Sequence, residues 1–260
     1  MRFEILGSSS AGNSGLLISG ESKVLVDVGF SGKRIREMLR VFDLGIESID
    51  GIFLTHEHSD HSVGLKALGE SGLDIFVNEA TACVLQDKLG KRLPWKVFET
   101  GTAFSYRDLV VDAFSIPHDA QDPVGYVFKS EGGGGFASVG WVTDLGYVPQ
   151  LVREKIRDVE CLVLEANHDL ELLENDTKRP WSIKQRILGR HGHLSNEAAF
   201  EVLRGMPDAA WKQIFLAHLS RDCNRVDVVQ NLCHALQKQR PQLNLTVVNP
   251  HFDALQALVA

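Results

Sequence analysis

The segment Thr55-His56-Glu57-His58-Ser59-Asp60-His61 constrains this chain more than any other, because it follows directly on the apolar run Gly51-Ile52-Phe53-Leu54. A short apolar run that breaks into polar residues reads as a buried strand ending in a loop. Such a loop can turn alternate side chains the same way, so His56 and His58 can share one cation while Asp60 and His61 reach a second. Imidazole nitrogen mixed with carboxylate oxygen suits zinc, manganese or iron, whereas a calcium cage is all oxygen. The rival reading is a polar surface loop with chance histidines, and the strand context together with the dense ligand spacing tells against it.

The rest of the chain reads as layered α/β. Strands are expected over 3–6, 15–18 and 23–28, then a helix capped by Ser31 with Ile35, Met38, Leu39 and Phe42 on one face. A second helix fits 63–70, a strand 74–77 and a helix 79–89. Strands near Val97 and Phe104 and over 109–116, 124–129 and 136–143 follow, with 132–135 as a hairpin loop. Beyond Asp144 the pattern becomes helix, strand 161–165, helices around 183–188 and 196–203, strand 213–217, helix 226–237 and strand 245–248. Strand-rich runs flanked by helices in both halves suggest two β-sheets packed together with helices outside. No linker-like stretch or fixed-period repeat divides the chain, so residues 1–260 are expected to form one domain.

Composition sets the outer bounds. The 27 Lys+Arg against 34 Asp+Glu give a net charge of -7, which argues against a generally basic, sequence-indifferent nucleic-acid coat while leaving room for a local basic patch. No apolar run approaches the ~20 residues needed to span a bilayer, and Glu4 sits where a signal peptide needs positive charge, so no membrane association is expected and the cytoplasm is the default. Cys83, Cys161, Cys223 and Cys233 are scattered without a C-x-x-C pair and read as reduced thiols.

The His-x-His-x-Asp-His loop and the residues spread behind it resemble the metallo-β-lactamase-fold hydrolases. That resemblance implies an αββα sandwich of two mixed β-sheets flanked by helices. It also implies a third histidine, a bridging aspartate and a last histidine at later strand ends, and His118, Asp144 and His218 match them. By the same resemblance one ion takes His56, His58 and His118, the other Asp60, His61 and His218, and Asp144 bridges the two divalent ions, zinc or manganese. Asp27, in Val-Asp-Val-Gly, matches an aspartate that supports the metal loop by hydrogen bonding. A carboxylate between two cations favours a dinuclear site suited to attack on phosphorus.

The segments Leu164 to Asn167, Gly192 to Ala199 and Leu216 to Arg221 are similar to those of ribonuclease Z and its phosphodiesterase relatives. By analogy His193 protonates the leaving oxygen, Glu165 fixes its tautomer, and Asp60 joins them in the catalytic group. The alternative for His193 is a structural hydrogen bond at a helix N-terminus. A closer resemblance is to the YycJ/WalJ family of exonucleases. It is carried by Gly7 to Ser14, Ser31-Gly32-Lys33, Thr55 to His61, His118-Asp119-Ala120, Pro123 to Tyr126, Thr143 to Tyr147, Glu165 to Asp169 and Gly192 to Asn196. This family implies 5′→3′ exonuclease action on double-stranded DNA with a part in DNA repair. A small-molecule phosphodiesterase acting on a cyclic phosphate, an RNA-processing nuclease, and a metal-stabilised binding module are the rivals.

Three further expectations concern the surroundings of the site. Between residues 177 and 196 the chain holds Lys178, Arg179, Lys184, Arg186 and Arg190, with no acid and with Trp181 among them, so Lys184, Arg186 and Arg190 are expected to contact phosphates; the plainer reading is a solvated helix face. His168 follows strand 161–165 and is expected behind the ligands or against substrate. Residues 7–14 lack the Gly-Lys-Ser/Thr ending of a nucleotide-triphosphate loop and are expected to form a tight hairpin near the metal floor, with Asn13 or Ser14 hydrogen bonding there.

Overall fold

The computed structural model describes residues 1–130, 134–251 and 253–257, so residues 132 and 133 of the expected 132–135 loop lie outside the described residues. The first half runs β1 (Arg2–Ser9), β2 (Gly12–Ile18), β3 (Lys23–Val26), α1 (Gly32–Arg40), β4 (Gly51–Phe53), α2 (Ser59–Ser62), α3 (Leu65–Leu68), β5 (Asp74–Asn78), α4 (Glu79–Leu89) and β6 (Trp95–Phe98). The second runs β7 (Phe104–Tyr106), β8 (Leu109–Ser115), β9 (Val124–Lys129), β10 (Ser138–Val142), α5 (Gln150–Arg157), β11 (Cys161–Glu165), α6 (Leu170–Asn175), α7 (Trp181–Leu188), α8 (Asn196–Arg204), β12 (Gln213–Ala217), α9 (Val226–Gln237), β13 (Asn244–Val247) and α10 (Ala254–Ala257).

Each half builds one mixed sheet, ordered β1-β2-β3-β4-β5-β6 and β13-β12-β11-β10-β9-β8-β7. Both sheets follow one plan. Antiparallel neighbours come first in the chain and parallel neighbours after them, from β3 onward in one sheet and from β10 onward in the other. The plan is shared in direction and order while the residues differ, which is why the sequence shows no repeat.

Three apolar layers hold this αββα sandwich together. Between the sheets lie Phe3, Phe53, Phe76, Tyr126, Phe128 and Trp141, with Phe53 stacked on Phe76 at 4.4 Å and Phe3 edge-on to Trp141 at 5.9 Å. Outside the first sheet, Ile35, Met38 and Leu39 of α1 and Leu65 and Leu68 of α3 cover Leu16, Leu25 and Ile52. Outside the second, Val152, Phe200 and Val229 of α5, α8 and α9 cover Leu162, Leu164 and Ile214. Each such fully buried side chain contributes about 1.5–3 kcal/mol relative to exposure.

Polar caps start the helices where the sequence places them. Ser31 Oγ accepts from Arg34 N, Asn78 Oδ1 from Thr81 N and Ser195 Oγ from Ala198 N. Of the helix expected over 63–70 only α3 forms, preceded by the separate short helix α2. At Gly64 the backbone N–H donates to the Val28 carbonyl at 2.8 Å rather than to the preceding turn, and a Cβ there would stand 2.7 Å from the carbonyl oxygens of both Val28 and Phe30. Helix α6, capped by Asp169, was not anticipated, because six residues are too few to show a helical period.

Candidate active site

The parallel strands of both sheets deliver their C-terminal ends to one edge of the sandwich. Asp27 follows β3, residues 55–61 follow β4, Asp144 follows β10, Glu165 ends β11 and His218 follows β12. Asp27, Asp144 and His218 all have left-handed backbone, with φ of 59°, 62° and 57°. That conformation costs an L-residue roughly 1–2 kcal/mol and is best tolerated by Asp, Asn and His outside glycine. Asp27, Asp144 and His218 are buried, as are His56, His61, His118 and Glu165.

Hydrogen bonds fix the tautomers of the buried histidines. Thr55 Oγ1 lies 3.0 Å from both oxygens of Asp27, a carboxylate that can only accept, so the hydroxyl proton goes to Asp27. The same hydroxyl therefore accepts from His56 Nδ1 at 3.0 Å. His61 Nδ1 donates to Asp27 Oδ2 at 2.8 Å, His118 Nδ1 to the Gly192 carbonyl at 3.2 Å and His218 Nδ1 to Glu165 Oε1 at 2.7 Å. In the neutral ring each of these bonds leaves Nε2 as the nitrogen that carries the lone pair.

Those nitrogens face two carboxylates. His61 Nε2 is 3.1 Å from Asp144 Oδ2 and 3.5 Å from Asp60 Oδ2. His218 Nε2 is 3.3 Å from Asp144 Oδ1 and 3.5 Å from Asp60 Oδ2. Asp144 Oδ1 is also 3.8 Å from His118 Nε2, which stands 3.3 Å from His58 Nδ1. His56, His58 and His118 form one group, and Asp60, His61, Asp144 and His218 another; within each, ligand atoms lie within 4.8 Å of one another.

The buried His56 Nε2 makes no hydrogen bond. Orphaned acceptors of this kind are costly unless a cation takes them up. Burial lowers the proton affinity of His56 and His118, keeping both imidazoles neutral as ligation requires. Burial acts the same way on His61 and His218, but Asp144 and the neighbouring carboxylates outweigh it, raising His61 and holding His218 at about 10. A field that strong attracts cations of any kind, and the donor set fits borderline divalent metals.

Behind the cluster, Glu165 joins His218 to His193. Its Oε1 accepts from both Nδ1 atoms, at 2.7 Å and 2.9 Å, and its Oε2 from Leu145 N and Leu194 N. Burial pushes this carboxyl up, but the His193 and His218 contacts prevail and hold it at about 2. His193 is pushed down by its own burial and more strongly up by Glu165, for a net rise. With Nδ1 committed to Glu165, Nε2 is the ring nitrogen His193 has left for the pocket it lines.

The hairpin of residues 7–14 lies against this floor as expected. Ser14 Oγ donates to the Asp27 carbonyl, and Asn13 Nδ2 stands 3.2 Å from His61 Nε2. Ser8 was not foreseen: its hydroxyl accepts from His218 N and donates to Asn13 Oδ1, clamping the last strand end to the hairpin. Gly29 is required by close approach, since a Cβ would fall 1.6 Å from the Asp60 carbonyl oxygen.

The basic segment divides. Arg186 lines the pocket and pairs with the Asp119 carboxylate. Lys184 is corrected from a phosphate contact to a structural cation: it lies on the inner face of α7, 7% exposed, with Nζ donating to the Glu174 carbonyl at 2.7 Å. Arg190 stacks over Tyr147, 4.5 Å from the ring centre. Lys88 of α4 also lines the pocket and went unnoticed in the sequence, because nothing near it in the chain marks a site.

His168 is buried, 1% exposed, and neither ring nitrogen is hydrogen bonded, so it does not reach substrate from this position. Burial pulls its pKa from 6.5 to about 4. Above pH 6.5 the ring is neutral in folded and unfolded chains alike. As pH falls from 6.5 toward 4, the unfolded chain takes up a proton that the folded chain refuses, so stability drops across that window by on the order of 3 kcal/mol. Urea unfolding in chelator at about pH 7 and about pH 4.5 should show His168→Leu losing that part of the slope. A variant as pH-sensitive as the wild type would refute this assignment.

Residues 22–218 match the beta-lactamase superfamily domain. The chain is 35% identical over 234 residues to the protein named exodeoxyribonuclease YycJ of Bacillus anthracis, covering 88% of this chain and 86% of the relative. This chain belongs to the YycJ/WalJ family of metallo-β-lactamase-fold hydrolases. A second member, named exodeoxyribonuclease WalJ, from Streptococcus pneumoniae serotype 2, is also 35% identical, over 252 residues that cover 95% of this chain and 90% of the relative. The metallo-beta-lactamase fold protein YhfI from Bacillus subtilis superposes with a TM-score of 0.72 at 15% identity, covering 95% of this chain and 96% of that one, a likeness of fold alone. In this YycJ/WalJ member no helix among the described residues is long and apolar enough to cross a membrane.

Proposed function

We propose that this chain is a metal-dependent exodeoxyribonuclease that acts 5′→3′ on double-stranded DNA in the cytoplasm and serves DNA repair. The observation that carries the reading is Asp144, a buried carboxylate set between two groups of nitrogen and oxygen donors and beside the His193–Glu165 pair. Relatives matched over most of their length are named exodeoxyribonucleases. We also treat residues 1–260 as one domain, since Trp141 of one sheet packs on Phe3 of the other. Four free thiols are consistent with a reducing compartment.

In this reading His56, His58 and His118 would hold one divalent ion, zinc or manganese, and Asp60, His61 and His218 would hold a second, with Asp144 standing between the two groups. When bound, the two ions supply Lewis acidity and lower the pKa of water at the phosphorus. Asp27 and Thr55 hold His61 and His56 in the tautomers that expose Nε2. Glu165 orients His193 and raises its proton affinity, and His193 Nε2 delivers a proton to the oxygen that departs.

The test is digestion of end-labelled duplex DNA, duplex RNA and a cyclic nucleotide with manganese or zinc, by wild type and Asp60→Ala. The reading expects DNA to be shortened from its 5′ ends and Asp60→Ala to be inactive on it. Cleavage of the cyclic nucleotide or RNA alone would defeat the exodeoxyribonuclease assignment, and full activity of Asp60→Ala would defeat the metal mechanism.

A further inference from the structure

A cavity of about 390 Å³ opens above the cluster. Among the described residues that line it, only Lys88 and Arg186 bear a permanent positive charge, one from each half of the chain. Both head groups rest on the segments that carry His58 and His118. Lys88 Nζ donates to the Glu57 carbonyl at 2.9 Å, and Arg186 Nε donates to Asp119. The cations therefore stand beside the trihistidine group, while Ser10 and Ser59 also line the pocket with hydroxyls.

Neither tether exhausts its cation. An ammonium has three protons and a guanidinium five N–H groups, so donors remain on Lys88 and on the terminal nitrogens of Arg186. The Arg186 side chain is 57% exposed, and ion pairs at that exposure are weak enough to exchange for a stronger acceptor. Phosphate oxygens are such acceptors, and the guanidinium fork matches them two at a time.

We propose that Lys88 and Arg186 form a two-sided clamp on a phosphate neighbouring the scissile one, on the trihistidine side of the site, and so select a polynucleotide over a small diester. The clamp rests on the nuclease reading above. The carbonyl and carboxylate tethers keep both head groups over the mouth before substrate arrives.

Lys88→Ala, Arg186→Ala and the double variant should be compared with wild type on duplex DNA and on bis(p-nitrophenyl) phosphate, which has no neighbouring phosphate. Each single variant should lower the ratio of kcat/KM on DNA to that on the small diester about tenfold, as expected for losing one charged hydrogen bond. The loss should fall mainly in KM, and Lys88→Arg should restore most of it. With chelator present, the slope of log affinity for duplex DNA against log salt should become shallower by about 0.9 per cation removed. An unchanged ratio, or an unchanged salt slope, in the double variant overturns the clamp while leaving the nuclease reading in place. Wild type that hydrolyses the small diester and leaves DNA intact overturns the nuclease reading, and the clamp with it.

Discussion

Asp144→Asn should lose at least about a thousandfold in DNA hydrolysis while keeping the fold, because it removes the buried carboxylate that stands 3.1 Å from His61, 3.3 Å from His218 and 3.8 Å from His118. Losing several kcal/mol of transition-state stabilisation corresponds to a factor of that size. Asparagine is the right replacement for a physical reason. The residue sits at φ 62°, and asparagine is among the few non-glycine residues that accept left-handed backbone. Replacement by alanine or valine would confound loss of charge with backbone strain. Metal content of the purified variant, read by mass spectrometry of the elements, should fall along with activity. A variant that binds wild-type metal and cleaves DNA at more than a tenth of the wild-type rate would remove Asp144 from its assigned role.

His193→Ala should cost about a hundred- to ten-thousandfold on DNA, the usual worth of a positioned general acid. The loss should shrink sharply on bis(p-nitrophenyl) phosphate, whose leaving group departs without needing a proton. The pH profile carries an independent sign. Glu165 raises the pKa of His193, so the acid form is present below that raised value and lost above it, giving wild type a falling limb on the alkaline side. His193→Ala should lack that limb. Glu165→Gln should move it to lower pH, because the neutral amide no longer stabilises the imidazolium. Equal losses on both substrates, or a variant that keeps the limb, would assign His193 a structural part instead.

Much of this site could be read from the sequence because its residues sit where strands stop. The apolar runs before residue 55, Asp144, the Glu165 region and His218 announce buried strands, and parallel strands bring their ends to one edge. Other parts escaped for reasons that are equally physical. The left-handed backbone at Asp27, Asp144 and His218 has no signature in residues that are common everywhere. Lys88 lies on a helix whose local pattern is that of any surface helix, and only the packing of α4 against the first sheet brings it to the pocket. Lys184 and Arg186 are two residues apart on α7 and so point to different faces, a separation that a count of basic residues cannot express. The break between α2 and α3 goes with a hydrogen bond from Gly64 N to the carbonyl of Val28, far from Gly64 in the chain.

Because the donors run from His56 to His218, the order of synthesis acquires a meaning. A growing chain exposes the 56–61 cluster first, and Asp144 and His218 emerge only when most of the protein has been made. At about 5–20 residues per second the interval from His61 to His218 is on the order of ten seconds. During that time a partial, loosely binding histidine cluster meets whatever ions the cell offers, and the companion site does not yet exist. Completing the group of Asp60, His61, Asp144 and His218 is therefore a late event in the synthesis of each molecule, while His56 and His58 are exposed early.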